Sequence, residues 1–239
     1  MIPYEQARKL VIEKAKLLGQ EVVTLDEALG RVVAKDISSK INVPPFRNSA
    51  MDGYAVRSED TKQAKRENYV SLKLVAAQPA GDYFRKRIRN GKTVKVMTGA
   101  PVPAGADAVV PLEEVEQRGE QILIRREIKP GENIREAGED VKKGEIIIRK
   151  GSVLKTPELG LLAACGFTQV SVYRRPQVAV IITGNELCEP GEKLQAGKIY
   201  NSNAVILKAL LKSSGVELVS LEKVEDNLKS LISALKRAV

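Results

Sequence analysis

Pro44-Pro45-Phe46-Arg47-Asn48-Ser49-Ala50-Met51-Asp52-Gly53-Tyr54-Ala55-Val56 is the stretch around which the rest of the chain is organised. Its two prolines cannot continue a helix and hold the backbone extended. Arg47, Asn48 and Ser49 then place three polar side chains in succession. Asp52-Gly53 reads as a turn in which Gly53 supplies a positive φ. Tyr54-Ala55-Val56 resumes a strand pattern, and Asp52 is the only acid in the run.

Upstream, Tyr4, Ala7, Leu10, Val11 and Leu18 recur at helical spacing and predict a helix over 3–18, ended by Gly19. Thr24-Leu25-Asp26-Glu27 has the form of a capping box, predicting a short helix that Gly30 closes. Val32 to Ser38 reads as extended. Downstream the pattern is strand-like: 69–75, 93–97 and, more weakly, 121–125 alternate apolar and polar residues. Lys62 to Asn68 is a charged connector. Together these make 46–136 a β-rich inserted domain. A second strand-rich piece follows, with a strand over 145–148 and another over 170–173. Between them Thr156, as N-cap before Pro157, opens a helix reaching Cys165.

At Pro176 the style changes. Val178 to Thr183 is a continuous apolar strand of the kind covered on both faces. Ser202 or Asn203 caps a helix over 204–213, with Val205, Leu207, Leu210 and Leu211 as its packing stripe. A strand over 216–221 and a helix from Asp226 complete β-α-β-α, the opening of a doubly wound sheet. The expected class is therefore multidomain α/β, with a nested β-rich insertion and an incomplete doubly wound domain over 176–239.

Composition narrows the chemistry. Among 239 residues there is no histidine and only two cysteines, which removes imidazole acid–base chemistry, His-based triads and the usual zinc sites. Cys165, in an apolar context, reads as a small core residue. The net charge of +9 calls for an anionic partner, and the densest basic run is Arg85-Lys86-Arg87-Ile88-Arg89. Aromatic residues are only 4%, so stacking platforms for bases are scarce and nucleic acid is disfavoured. There is no apolar run of about 18 residues and no apolar signal core, so a cytoplasmic protein is expected.

Four stretches offer chemistry. The opening run carries Arg47, Asn48, Ser49 and Asp52. Thr98-Gly99 ends a strand in a small-residue loop whose backbone amides could meet an anion. Ile134 to Val141 clusters Glu136, Glu139 and Asp140 around Gly138, a pattern that could hold a hard ion such as Mg2+. Thr183-Gly184-Asn185-Glu186 lies at the carboxyl end of a buried strand, where open α/β sheets bind ligands. Ser202 and Asn203 follow at a helix N-terminus.

In order and rough spacing, these stretches resemble the motifs of the MoeA family, the molybdopterin molybdenumtransferases whose fold also forms the E domain of gephyrin. The resemblance runs from about residue 3 to 239. It implies that 1–45 pairs with 137–175 in one domain, nesting 46–136. It implies an elongated homodimer with the site at the subunit interface, and insertion of molybdate into adenylylated molybdopterin with release of AMP. It implies Asp52, Thr98, Asp140 and Glu186 as catalytic positions, with Asp140 and Glu186 holding Mg2+. Arg47, Asn48, Ser49, Gly99, Ser202 and Asn203 are then substrate-binding. Asn185 and Asn201 depart from the pattern, each standing where the family commonly has an acid. The family chain also continues past the length seen here, so the alternative is a non-catalytic molybdopterin-binding or scaffolding protein.

Overall fold

The structure, a computed structural model, describes residues 2–79 and 81–238. In chain order its first elements are α1 (Tyr4–Lys14), β1 (Gln20–Thr24), β2 (Ile37–Ser38), β3 (Asn48–Ser49), β4 (Gly53–Val56), β5 (Val70–Gln78) and β6 (Lys92–Val96). Then come β7 (Ala108–Pro111), β8 (Val115–Arg118), β9 (Gln121–Ile124), β10 (Ile134–Arg135), β11 (Ile146–Ile148), α2 (Thr156–Ala164) and β12 (Gln169–Tyr173). The last are β13 (Gln177–Thr183), β14 (Leu187–Cys188), β15 (Ile199–Tyr200), α3 (Ser202–Ser213), β16 (Glu217–Val224) and α4 (Leu228–Ala238). The mixed α/β class expected from the sequence is the one observed. No helix among the described residues is long and apolar enough to cross a membrane.

The chain divides into two compact units. One comprises Ile37–Ile147 and Leu161–Gly166; the other comprises Met1–Asp36, Ile148–Gly160 and Phe167–Val239.

The first unit is built on a six-stranded sheet of order β7-β4-β6-β5-β9-β8. Every pairing in it is antiparallel except β5 with β6. Successive side chains point to opposite faces, and both faces are covered. Tyr54, Val56, Ala108, Val110, Ile122 and Ile124 pack on one side with Leu72 and Ile128. Ala55, Val94, Val96 and Val109 pack on the other with Ile88 and Ala100. All four residues of β4 are buried because that strand is paired on both edges.

This placement corrects the reading of Gly53. It is not among the positive-φ glycines but is the first residue of β4, paired with Val96 and Pro111. What excludes a side chain is proximity: a Cβ there would lie 2.2 Å from the Val110 carbonyl oxygen.

In the second unit β1 and β12 form an antiparallel ladder from Gln20↔Tyr173 to Thr24↔Gln169. Thr24 donates from its backbone N–H and its hydroxyl to the Glu27 carboxylate, at 3.2 and 2.9 Å. Only the Glu27 half of the box forms, since the Glu27 N–H donates to the Thr24 carbonyl rather than to its hydroxyl, and residues 25–27 make a turn rather than the expected helix. α1 also ends earlier than expected: Ala15 is already extended, and no residue of the helix is buried. With no core face to extend, the apolar spacing out to Leu18 does not become helix.

The same unit holds β13 and β16, a parallel pair flanked by α3 and α4. Its core is Val180, Ile182 and Ala204, with Leu211, Leu218 and Leu221 partly buried against them. Only alternate residues of β13 are buried, so the expectation of a strand covered on both faces is not met. α3 is phased differently from the sequence reading. Asn201 is the N-cap, Ala204 and Leu211 face the core, and Val205, Leu207 and Leu210 are exposed. At α2 the cap also moves by one position: the Lys155 N–H donates to Glu158, and Thr156 is already helical.

Candidate functional site

Three of the four chemically suggestive stretches converge in the first unit, and the main chain of residues 47–52 joins them. The Gly99 N–H donates to the Ser49 carbonyl at 2.8 Å, the Ser49 N–H to Ala100 at 3.0 Å, and the Val102 N–H to Arg47 at 3.0 Å. On its other side this segment pairs antiparallel with β10, Asn48 opposite Arg135 and Ser49 opposite Ile134. The loop after β10 is pinned to the start of the motif: Gly138 donates to the Pro44 carbonyl and Asp140 to Val43, both at 2.9 Å.

At the centre is Asp52. The antiparallel pairing of β4 with β6 sets the residue before β4 beside the residues after β6. One oxygen of Asp52, Oδ1, accepts from both the backbone N–H and the hydroxyl of Thr98, each at 2.7 Å. These two bonds, with the more distant positive charge of Lys95, hold the Asp52 carboxyl below the usual carboxylate range. The Thr98 turn follows from its sequence. Ala100 N–H donates to the Met97 carbonyl, and Gly99 at the third position has φ 79°. That is where a type II turn demands a positive φ, which glycine reaches without strain.

The other expected substrate-binding groups have partners of their own. Ser49 is buried, and its hydroxyl donates to the Met51 carbonyl at 2.5 Å. Asn48 is also buried. The Gly99, Ala100, Val102 and Ala106 amides are all spent within the fold, so the loop does not offer the row of open donors read from its composition. The exposed charges are cationic and acidic in alternation. Arg47 Nε donates to Glu136 Oε1 at 2.9 Å. Arg135 donates to Glu139 at 3.4 Å and to Asp140 at 2.5 Å, which raises the Arg135 pKa, Asp140 being the larger cause. Arg47 and Arg135 are the groups here that can exchange a carboxylate for a phosphate or another oxyanion. Arg135 was not singled out from sequence; its signal is that it stands directly opposite Asn48 in a motif-bearing strand pair.

The fourth stretch lies in the second unit. Glu186 is exposed in the loop after β13, and its carbonyl accepts from Ile199 at 2.9 Å. Ser202 and Asn203 are the first two residues of α3, both exposed. Asn201 is 1% exposed; its Oδ1 accepts from the Ala204 N–H at 3.2 Å and its Nδ2 donates to Glu189 at 3.1 Å. An aspartate there would keep the cap but set two carboxylates against each other, which gives the Asn at this position a physical reason.

Of the two acids expected to hold Mg2+, Asp140 lies in the first unit and Glu186 in the second. Asp140 is engaged by Arg135. Among the described residues no group of three or more Asp, Glu or Cys side chains is arranged to hold a metal.

Residues 2–166 match the family model described as MoeA N-terminal region (domain I and II). The chain belongs to the MoeA family. Residues 179–239 of this MoeA-family chain match the model of a probable molybdopterin binding domain. A molybdopterin molybdenumtransferase of Staphylococcus epidermidis is 37% identical over 238 residues, and one of Haemophilus influenzae 40% identical over 229. The chain spans 57% and 55% of the length of these two relatives. Among solved structures, the molybdopterin biosynthesis moeA protein of Pyrococcus horikoshii OT3 is 38% identical with a TM-score of 0.90. That match covers 99% of this chain and 63% of the other.

Proposed function

We propose that this chain carries the substrate-gripping part of a cytoplasmic molybdopterin molybdenumtransferase, which inserts molybdate into the dithiolene of adenylylated molybdopterin and releases AMP. The observation that supports this reading most is the convergence of 47–52, 98–99 and 135–140 on one main-chain hub within one unit, in a chain of this family.

The residues divide the work by their chemistry. Asp52, held ionised well below neutral pH, is a poor proton carrier and a good fixed acceptor. It orients an N–H or O–H of the substrate. Thr98 already donates to Asp52, so its part is to position that carboxylate. Arg47 and Arg135 exchange their exposed carboxylates for the phosphate oxygens of the substrate or for molybdate. Such exposed ion pairs contribute little and are readily traded. Glu186, Ser202 and Asn203 belong to the same proposal through a homodimer in which a second copy takes part. Light scattering reports that state as twice the monomer mass.

The test is AMP release from adenylylated molybdopterin with molybdate, followed by chromatography, for the chain and its Asp52→Asn variant. The reading expects release that falls by about a hundredfold in the variant, as for loss of a fixed charge at a reacting centre. Equal release would overturn the role of Asp52. Tight binding of the substrate without any release would favour the scaffolding alternative.

A further inference from the structure

The basic run at 85–89 plays no part in the site described above. Its structure gives it one of its own. Lys86, Arg87 and Arg89, together with Lys92 at the start of β6, line a cleft of about 470 Å3 whose remaining lining is Val75 and Phe84. All four cations are exposed. Among the described residues no carboxylate lies within ion-pair distance of any of them, and none lines the cleft. Elsewhere in this unit several exposed arginines are paired with carboxylates: Arg118 and Arg125 with Glu116, and Arg126 with Glu114 and Glu132. Lys73, the register partner of Lys92, is itself matched to Glu120.

The cluster is also held in place. Ile88 is buried at 3% exposure, and its N–H donates to Ala104 at 2.8 Å. A Cβ on Gly105 would lie 2.5 Å from the Ile88 carbonyl, so the two loops are in direct contact. The turn into β6 closes through Lys92 N–H to Arg89 at 3.1 Å, and Gly91 N–H donates to the Asp60 carboxylate at 3.0 Å. Four like charges are thus gathered in a pinned concavity beside an Asp60 carboxylate already engaged by Arg57 and the Gly91 N–H, an arrangement that an anion would relieve.

We propose that this cleft binds the phosphate chain of a small oligophosphate ligand. Its volume lies within the range of small-ligand sites, roughly 300–1,000 Å3. Two arginines and two lysines can meet successive phosphates with charge-assisted hydrogen bonds. The cleft is distinct from the Asp52–Thr98 pair. Lys92 begins β6 and Thr98 follows its end, a separation of roughly 20 Å along extended chain.

The experiment is calorimetric titration of the chain with tripolyphosphate, ATP and adenosine at low ionic strength. Wild type binds tripolyphosphate and ATP, and adenosine does not bind. ATP tighter than tripolyphosphate identifies a nucleotide whose base packs on Phe84 and Val75; equal affinities identify the phosphate chain alone. Replacing Lys86, Arg87, Arg89 and Lys92 together by Gln weakens both at least about tenfold. Arg87→Lys with Arg89→Lys retains binding, which separates loss of charge from loss of fold. Replacing Arg8, Lys9, Lys14 and Lys16 by Gln removes the same charge from the other unit and changes affinity by less than about threefold. The proposal is overturned if both quadruple variants weaken binding alike. It is also overturned if the cleft variant binds as wild type does, if tripolyphosphate fails to bind, or if adenosine matches ATP. Single-stranded RNA binding far more tightly than ATP, and depending equally on both sets of charges, would overturn it too.

Discussion

Replacing Gly53 by alanine tests whether β4 is set by close approach rather than by a turn. The added Cβ would lie 2.2 Å from the Val110 carbonyl oxygen and 2.9 Å from Val109 Cγ1 and the Val110 carbonyl carbon. The shortfall from ordinary contact is roughly an ångström, and the obstacle is backbone, which no rotamer change can move. Overpacking costs about 1–3 kcal/mol where side chains can yield. Because β4 is paired on both edges, the upper end, about 3 kcal/mol, is expected here. For a chain of this size that corresponds to a Tm lower by about 6–12 °C. The assay is thermal unfolding followed by circular dichroism or calorimetry. Gly99→Ala is the matched control: a Cβ there meets nothing within 4 Å, but φ is +79°. Its cost is left-handed strain alone, about 1–2 kcal/mol. If Gly53→Ala melts within about 2 °C of wild type, or loses less than Gly99→Ala, the close-approach account of β4 is wrong.

Other outcomes follow from the same geometry. Gly160 is exposed within α2, and a Cβ there meets nothing, so Gly160→Ala should stabilise by about 0.5–1 kcal/mol, read as a raised Tm. Asn201→Ala removes the cap of α3 and the partner of Glu189, and a loss of about 1–2 kcal/mol in denaturant unfolding is expected. Thr98→Ala deletes the hydroxyl donor to Asp52 and keeps the backbone one, so the Asp52 titration followed by NMR should move upward part of the way towards ordinary aspartate; an unmoved titration refutes the assigned cause. Because the folded Asp52 pKa is lowered, the unfolded chain binds the proton more readily. Its contribution is complete above the ordinary aspartate value of 3.8 and lost as pH falls through the folded one. Asp52→Asn should therefore flatten that acid limb of stability against pH.

What the sequence made legible was local. Alternation announced the strands 69–75, 93–97 and 121–125, which appear as β5, β6 and β9 with small shifts of boundary. It did not announce β7 or β8, and β4 is legible only as the short run Tyr54-Ala55-Val56 after the turn signal. All four residues of both β4 and β7 are buried, so neither shows the period-two signal of a half-exposed strand. Thr24 and Glu27 show the converse case: Glu27 reaches back to the Thr24 N–H as its spacing allows, but the Thr24 hydroxyl does not accept the Glu27 N–H and no helix follows. The phase of α3 was misread because Asn201, not Ser202 or Asn203, accepts the first amide, and the core-facing positions moved with it. At the site, Asp52 and Thr98 were legible as motif residues. Their direct contact was not, since it depends on the pairing of β4 with β6 across more than forty residues of intervening chain. The commitments of Ser49 and Gly99 were equally hidden: the Ser49 hydroxyl closes its own turn and the Gly99 amide is spent on the Ser49 carbonyl, roles composition cannot separate from ligand contact.

The hub at 47–52 holds its neighbours through peptide groups: the carbonyls of Arg47, Ser49 and Asp52 and the amides of Ser49 and Ala50. Scaffold geometry there is largely indifferent to what Phe46, Arg47 and Met51 present to solvent, since all three are exposed. Identity at these positions can drift, or be randomised in a library, while the place of Asp52 persists. The segment behaves as a socket whose shape is inherited separately from the tools fitted to it.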